Sequence, residues 1–275
     1  MNKLKKIIFA TVDLFKRKRI VPITCTVGLE NEFNGRVALI SGGTGGIGLS
    51  IARRLIESGC KVIITGTNEI KLKDLQKELG ENASSLKLDY SNPDDFEDII
   101  IKGSQIYGGI DIFINSVGVH TENVDFWNMT STEFDRVMSI NLKGSFFACQ
   151  AMGKYMKENG IKGNILLISS SRGSEPVWSP YGISKWGLKG MTEGLAQLLL
   201  PYGIIVNAIA PGSTATSLIG VKEEDNIYSI ENKAGRYVMP DEVASLAKLL
   251  VSDAGRMIVG EMVHISAGRG IFDIR

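Results

Sequence analysis

Tyr181 and Lys185 stand four positions apart inside a helical pattern, a spacing that puts both on one face of the helix. A free tyrosine titrates near pH 10, about three units too high to trade protons readily at neutral pH. An ammonium beside the ring stabilises the phenolate and lowers that value. A phenol tuned in this way serves as a general acid or base at pH 7. Surface Tyr–Lys pairs are common, but of the seven tyrosines in this chain only Tyr181 has a lysine four residues on. A second candidate lies far upstream. Gly42-Gly43-Thr44-Gly45-Gly46-Ile47-Gly48 is a glycine run of the kind that lets backbone N–H groups approach a phosphate, because any Cβ would stand in the way.

Both candidates need elements to hold them. Before the glycine run, residues 36–41 form a short, nearly continuous apolar stretch, as expected of a buried parallel strand. After it, residues 49–58 read as a helix with Ile51, Leu55 and Ile56 on one face. Strand, glycine loop, helix is the arrangement that aims a helix N-terminus at a pyrophosphate, and this context makes the glycine spacing informative. The alternation continues down the chain. Strands are expected at 61–65, 84–89, 111–115, 163–169, 204–209 and 261–265. Helices are expected at 69–80, 93–107, 132–158, from Tyr181 to about Leu200, and at 240–252. Such a series predicts an α/β fold, one doubly wound Rossmann domain whose seven-stranded parallel sheet has helices on both faces.

Composition sets the outer bounds. The chain has 275 residues, 44% hydrophobic and 22% charged, ordinary for a globular protein with a substantial core. Three scattered cysteines argue against a disulfide framework and fit a reducing, cytoplasmic setting. The two histidines, His120 and His264, form no cluster with metal-ligand spacing, so no metal site is expected. Net charge is +1, yet residues 1–20 hold seven basic residues and one acid, or +6, which leaves −5 on the rest. A mildly acidic body is a poor nucleic-acid binder. No apolar run approaches the roughly 18 residues that a membrane span needs.

Residues 1–20 read as a short basic amphipathic helix, and residues 21–35 as a linker, so the expected division is 1–35 extension and 36–275 catalytic domain. Two readings stand for the extension. One is peripheral contact with an anionic membrane surface. The other, favoured, is a helix that packs on its own or a neighbouring subunit, or frays.

Taken together, the motifs resemble the short-chain dehydrogenase/reductase family over residues 33–270, and its compact branch most of all. Ser41-Gly42-x-x-x-Gly46-Ile47-Gly48 is similar to the family's cofactor loop, and Thr44 lies within it. Asp89 sits where the family contacts adenine. Asn115-Ser116-Val117-Gly118 looks like the Asn-Asn-Ala-Gly motif, changed at two positions. Asn141, Ser170, Tyr181 and Lys185 fall on the catalytic tetrad. Pro211, Gly212, Thr214 and Thr216 match the loop that touches nicotinamide. The spacing from Ser170 to Tyr181 is slightly tight, so Ser169 and Ser171 stay open as the working hydroxyl.

The resemblance implies hydride transfer between a nicotinamide and a carbonyl or secondary alcohol. Tyr181 would be the general acid/base, Lys185 would lower its pKa and bind ribose, Ser170 would bond the carbonyl oxygen, and Asn141 would hold a relay water. Asn115 is expected to link neighbouring strands. No carboxylate ends the second strand, where Gly66-Thr67-Asn68 stands instead. An acidic residue there would repel a 2′-phosphate, so NADP is favoured over NAD, with Thr67 and Asn68 as its contacts. Residues 213–238 are the expected substrate lid, and His120, Phe126, Val177, Trp178 and Trp186 the candidate pocket residues. The overall match is most like 3-oxoacyl-carrier-protein reductases, with sugar, polyol and hydroxysteroid dehydrogenases as alternatives. A catalytically silent cofactor-binding scaffold or sensor is the rival of another class. Family members pair as homotetramers or dimers through the Tyr–Lys helix, and Leu195, Leu198, Leu199 and Leu200 would suit that face.

Overall fold

A computed structural model describes residues 32–221, 226–229, 232 and 234–271 of the chain. The basic extension, residues 1–20, lies outside the described residues. Phe33, at the end of the expected linker, is fully buried in the core, and its N–H donates to the Ser58 carbonyl.

Seven strands follow: β1 (Val37–Ser41), β2 (Lys61–Gly66), β3 (Ala83–Lys87), β4 (Ile112–Asn115), β5 (Asn164–Ile168), β6 (Ile205–Pro211) and β7 (Met262–Ile265). They form one parallel sheet in the order β3-β2-β1-β4-β5-β6-β7. The chain leaves β1 toward β2 on one side and returns to β4 on the other. A crevice therefore opens beyond the carboxyl ends of β1 and β4, where the loops diverge. Ser41 pairs with Thr65 on one side and Asn115 on the other, so the cofactor loop springs from the middle of the sheet.

Alternate residues of each strand feed opposite faces. Ala38, Ile40, Val62, Ile64, Ile112 and Ile114 pack with helices α1 (Gly46–Ile56), α2 (Glu69–Leu79) and α7 (Pro240–Val251). Leu39, Phe113, Ile165, Leu167 and Val206 pack with α3 (Phe96–Tyr107), α5 (Ser145–Glu158) and α6 (Pro180–Leu199). Both faces are thus covered, which is why the strands read as apolar runs rather than as alternation.

The helix expected over 132–158 is not one regular helix. It comprises α4 (Ser131–Met138), a π-helical segment (Ser139–Gly144) and α5. Such widened turns leave no mark in a hydrophobic period. Asn141 sits inside the segment, fully buried. The third strand begins and ends slightly earlier than expected. Within the expected lid, the described residues hold one 3₁₀ turn (Ser217–Ile219) and the bridges Thr214–Val238 and Tyr228–Arg236. Among the described residues no helix is long and apolar enough to cross a membrane, and no group of three or more His, Cys, Asp or Glu is placed to hold a metal.

Candidate active site

The crevice at the carboxyl edge is a cleft of about 1050 Å³. One wall is the loop from β1 into α1. Gly42 has φ +72, and a Cβ there would lie 2.7 Å from the Ser116 carbonyl oxygen. A Cβ on Gly48 would lie 2.3 Å from the Gly42 carbonyl oxygen. Only glycines let the loop fold back on the helix so closely. Gly45 precedes α1 without a side-chain cap, and the first turn holds no acidic residue. The wall is therefore a cradle of backbone donors that a phosphate fits. We expect Gly48→Ala to lower stability by about 2 kcal/mol through overpacking. The check is a urea midpoint alongside nicotinamide affinity; if both stay put, the loop yields more easily than the geometry implies.

Most of the sequence-derived candidates converge on this cleft. Gly42, Thr44, Gly46, Ile47, Thr67, Asp89, Gly118, Ser170, Tyr181, Lys185, Pro211, Gly212, Thr214 and Thr216 all line it. Four candidates do not. Gly48 packs the helix on the loop behind it. Asn68 caps α2, its Oδ1 accepting from the Lys71 N–H at 3.0 Å. Asn115 is buried; its Nδ2 donates to Ser145 Oγ at 2.8 Å and its Oδ1 accepts from the Val117 N–H at 3.2 Å. The side chain expected to link neighbouring strands instead ties β4 to the first residue of α5.

Asn141 lies behind the cleft. Its Oδ1 accepts from the Val119 N–H at 2.8 Å, and its Nδ2 donates to the Val119 carbonyl at 2.9 Å and to Ser184 Oγ at 3.2 Å. Both amide protons are used within the protein, and the side chain ties down the strip after Gly118. Its own carbonyl accepts from Ser145 Oγ at 2.7 Å.

Ser179 starts α6 by accepting from the Gly182 N–H at 3.2 Å, with Pro180 as the first helical residue. That cap sets Tyr181 on the first turn and Lys185 one turn on. Lys185 is 3% exposed, and its Nζ donates to the Ile168 carbonyl at 3.1 Å. Burial brings its pKa down to about 8. The Nζ lies 5.6 Å from the Tyr181 ring centroid.

The tyrosine differs from expectation. Burial pushes the Tyr181 phenol above its ordinary value, and the neighbouring Ser170 hydroxyl and the Arg172 guanidinium pull it only part of the way back.

Ser169, Ser170 and Ser171 all face the cleft, but with different commitments. Ser169 Oγ donates to the Lys185 carbonyl at 3.3 Å. Ser170 Oγ accepts from the Arg172 N–H at 3.3 Å and stands by the phenol. Elsewhere along the cleft, Asp89 Oδ1 accepts from the Ser91 N–H at 2.9 Å and Oγ at 2.7 Å, which holds its carboxyl below the usual range.

Of the candidate pocket residues, His120, Val177 and Trp178 line the cleft. Phe126 and Trp186 do not: Phe126 is exposed, and Trp186 Nε1 donates to the Glu175 carbonyl at 2.7 Å, docking the loop after β5. Several functional neighbours escaped the sequence reading. Ser184 is three residues past Tyr181, a spacing that could have revealed it. Arg172 and Arg269 line the cleft and share Glu175, at 3.1 Å and 2.9 Å. Nothing local pairs those last two, which lie far apart in sequence.

A parallel sheet with a glycine cradle at its switch point, facing a half-buried tyrosine and a buried lysine, defines a nicotinamide-dependent oxidoreductase. Comparison with known proteins agrees. A family described as short chain dehydrogenase matches residues 36–227. The chain is 34% identical over 241 residues to a 3-oxoacyl-acyl-carrier-protein reductase of Rickettsia felis, covering 86% of this chain and 98% of that one. It is 31% identical over 249 residues to the same-named reductase of Aquifex aeolicus, covering 87% and 99%. Among solved structures, a variant of actinorhodin polyketide ketoreductase with NADPH matches with TM-score 0.78 at 28% identity, covering 89% and 100%. A Brucella melitensis 3-ketoacyl-acyl-carrier-protein reductase complexed with NADH matches with TM-score 0.78 at 27% identity, covering 86% and 99%. The chain belongs to the short-chain dehydrogenase/reductase family and is an NAD(P)-dependent oxidoreductase acting on carbonyl or alcohol groups.

Proposed function

We propose that this enzyme reduces the keto group of a 3-oxoacyl thioester, with NADPH preferred. The reading rests chiefly on one observation: the Ser170 hydroxyl, the Tyr181 phenol and the Lys185 amine converge on a cleft whose other wall is the phosphate cradle. When bound, the dinucleotide supplies the hydride. Gly42, Thr44, Gly46 and Ile47 hold its pyrophosphate end, Asp89 its adenine, and Pro211, Gly212, Thr214 and Thr216 its nicotinamide.

The remaining chemistry belongs to the side chains. Ser170 Oγ donates to the carbonyl oxygen and strengthens as negative charge gathers there. Tyr181 Oη gives its proton to the same oxygen. Lys185 Nζ, ionisable near pH 8 and 5.6 Å from the centre of the phenol ring, supplies positive charge that steadies the phenolate, and the proton given up is replaced from solvent. Asn141 fixes the strip that covers Tyr181. Oxidation of an alcohol uses the same groups in reverse.

Three further features support the details. The apolar walls Val124, Pro176, Val177 and Leu218 suit an acyl chain. Gly66 and Thr67 end β2 without a carboxylate, and Thr67 alone of the expected pair reaches the cleft, so NADP is admitted on its hydroxyl and backbone. Lastly, an apolar groove of about 590 Å³ runs between the π segment and α6, lined by Met138, Leu142, Phe146, Phe147, Gly187 and Met191. Leu198 and Leu200 are exposed beyond it, whereas Leu199 is buried and Leu195 packs on the core. This face fits a second copy of the chain in a homodimer or homotetramer.

The test is loss of nicotinamide absorbance with NADPH and with NADH over β-ketoacyl thioesters, ketosugars, diketones and quinones, with dissociation constants for both nucleotides. We expect thioester turnover and NADPH bound at least about tenfold more tightly, worth about 1.4 kcal/mol. Tighter NADH binding would reverse the cofactor assignment, and turnover of ketosugars alone would reverse the substrate.

A further inference from the structure

His120 lies against the general acid. Its ring stacks on that of Tyr181 with centroids 4.2 Å apart and planes at 27°. The segment carrying it is pinned from three sides. Both backbone groups of Val119 are bonded to the Asn141 side chain, at 2.8 and 2.9 Å. Arg136 Nη2 donates to the His120 carbonyl at 2.7 Å, and that guanidinium is held in turn by Glu133 at 2.7 and 2.9 Å. The Tyr181 N–H donates to Thr121 Oγ1 at 3.4 Å. Three consecutive residues are thus fixed to the π segment, to α4 and to α6. An imidazole on so constrained a backbone has little freedom to leave the phenol face.

We propose that His120 is a positioning residue for the reaction, a flat lid that holds the Tyr181 ring at the angle proton transfer needs and keeps water off its outer face, with Arg136–Glu133 as its remote brace. This rests on the reading of Tyr181 as general acid. The phenol oxygen lies on the Cβ–Cγ axis, so its place is set by the swing of the ring about Cα–Cβ, which a group packed on the ring's face limits. A small error of aim is expensive in proton transfer. The charges around His120 keep the lid neutral. Burial disfavours a cation there most, Lys185 on α6 and Arg172 on the loop after β5 add to that, and Glu122 beside it favours one less strongly. On the α4 side, Arg136 is ion-paired with Glu133 and Glu122. The imidazole therefore protonates below its ordinary value, and only then does it add its own positive charge to the ring it stacks on, favouring phenolate.

The experiment places 3-fluorotyrosine at position 181 and follows its fluorine resonance with pH, beside steady-state kinetics. In the otherwise unchanged protein we expect a small inflection below pH 6.5, His120 protonation sensed through the stack. His120→Phe should abolish that inflection, keep the ring-current shift and retain most of the turnover. His120→Ala should move the resonance and lower kcat about tenfold while nicotinamide affinity stays within about twofold. Arg136→Gln, at a residue outside the cleft, should reproduce part of the Ala effect without changing the inflection's origin. If His120→Ala leaves the fluorine resonance and kcat unchanged in a folded protein, the positioning role is wrong. Fluorine results as expected, with no carbonyl reduced by any variant, would instead leave the stack standing and remove the reductase reading.

Discussion

Tyr181→Phe should leave nicotinamide binding intact and lower kcat/KM about 10³-fold, the upper middle of what a general acid contributes. The substitution removes one oxygen and keeps the ring, so the His120 stack and the α6 cap at Ser179 are undisturbed. Its effect on stability should be about 1 kcal/mol, the loss of the hydroxyl's hydrogen bond with Ser170. Direction matters here. The phenol sits above its ordinary value in the protein alone, which makes it a proton holder at neutral pH and suits donation to a carbonyl oxygen. Oxidation of an alcohol needs the phenolate and should rise with pH more steeply than reduction falls. Rates in both directions from pH 6 to 10, for the parent and the Phe variant, check this. If the variant keeps a tenth or more of the activity, another group delivers the proton.

Lys185→Met should raise stability while abolishing turnover. An unfolded lysine keeps its proton up to pH 10.5, whereas the buried Lys185 releases it near pH 8. That difference disfavours the folded state by about 3 kcal/mol at pH 7. Below pH 8 both forms are protonated and the penalty is complete. Between pH 8 and 10.5 the unfolded chain binds the extra proton, so stability climbs as pH rises, and above 10.5 the penalty is gone. Methionine fills the same channel without charge but gives up the bond to the Ile168 carbonyl, worth about 1 kcal/mol. A net gain of about 2 kcal/mol is expected at pH 7, shrinking through the window from 8 to 10.5. Urea titrations at pH 7 and pH 10 measure it. A gain of equal size at both would show that packing, not charge, is responsible. An enzyme that carries a destabilising buried amine at its centre is trading stability for function, a common pattern at active sites.

Much of this was legible in the sequence because it is local. The glycine run, the apolar strands and the Tyr–Lys spacing are each written within a few consecutive residues, and the alternation of strand and helix fixes the sheet's order only once parallel crossovers are assumed. What escaped is set by contacts between distant segments. The commitment of Asn68 to α2 and of Asn141 to Val119 depends on where backbone donors end up, which the residue type does not say. A phenol's pKa depends on burial as well as on its neighbour, and four-residue spacing reports only the neighbour. The Glu175–Arg269 pair joins residues 94 positions apart. Trp186 reads as a pocket aromatic from its place near Lys185, yet one residue along the helix is a turn of about 100°, which points it outward.

The π segment has a consequence for the helices on either side. From Val137 to Met152, both fully buried, is fifteen positions, and at about 100° each these overshoot four full turns by about 60°. The widened turn at Ser139–Gly144 takes up part of that rotation, and beyond it Ala148, Met152 and Met156 pack in the core against the sheet while Arg136 on α4 bonds the loop. It acts as a gear between two faces that must point to different places. Removing a single residue there would do more than delete a side chain. It would rotate all of α5 by about 100° against α4, turning an apolar stripe toward water and carrying Ser145, the partner of Asn115, out of register.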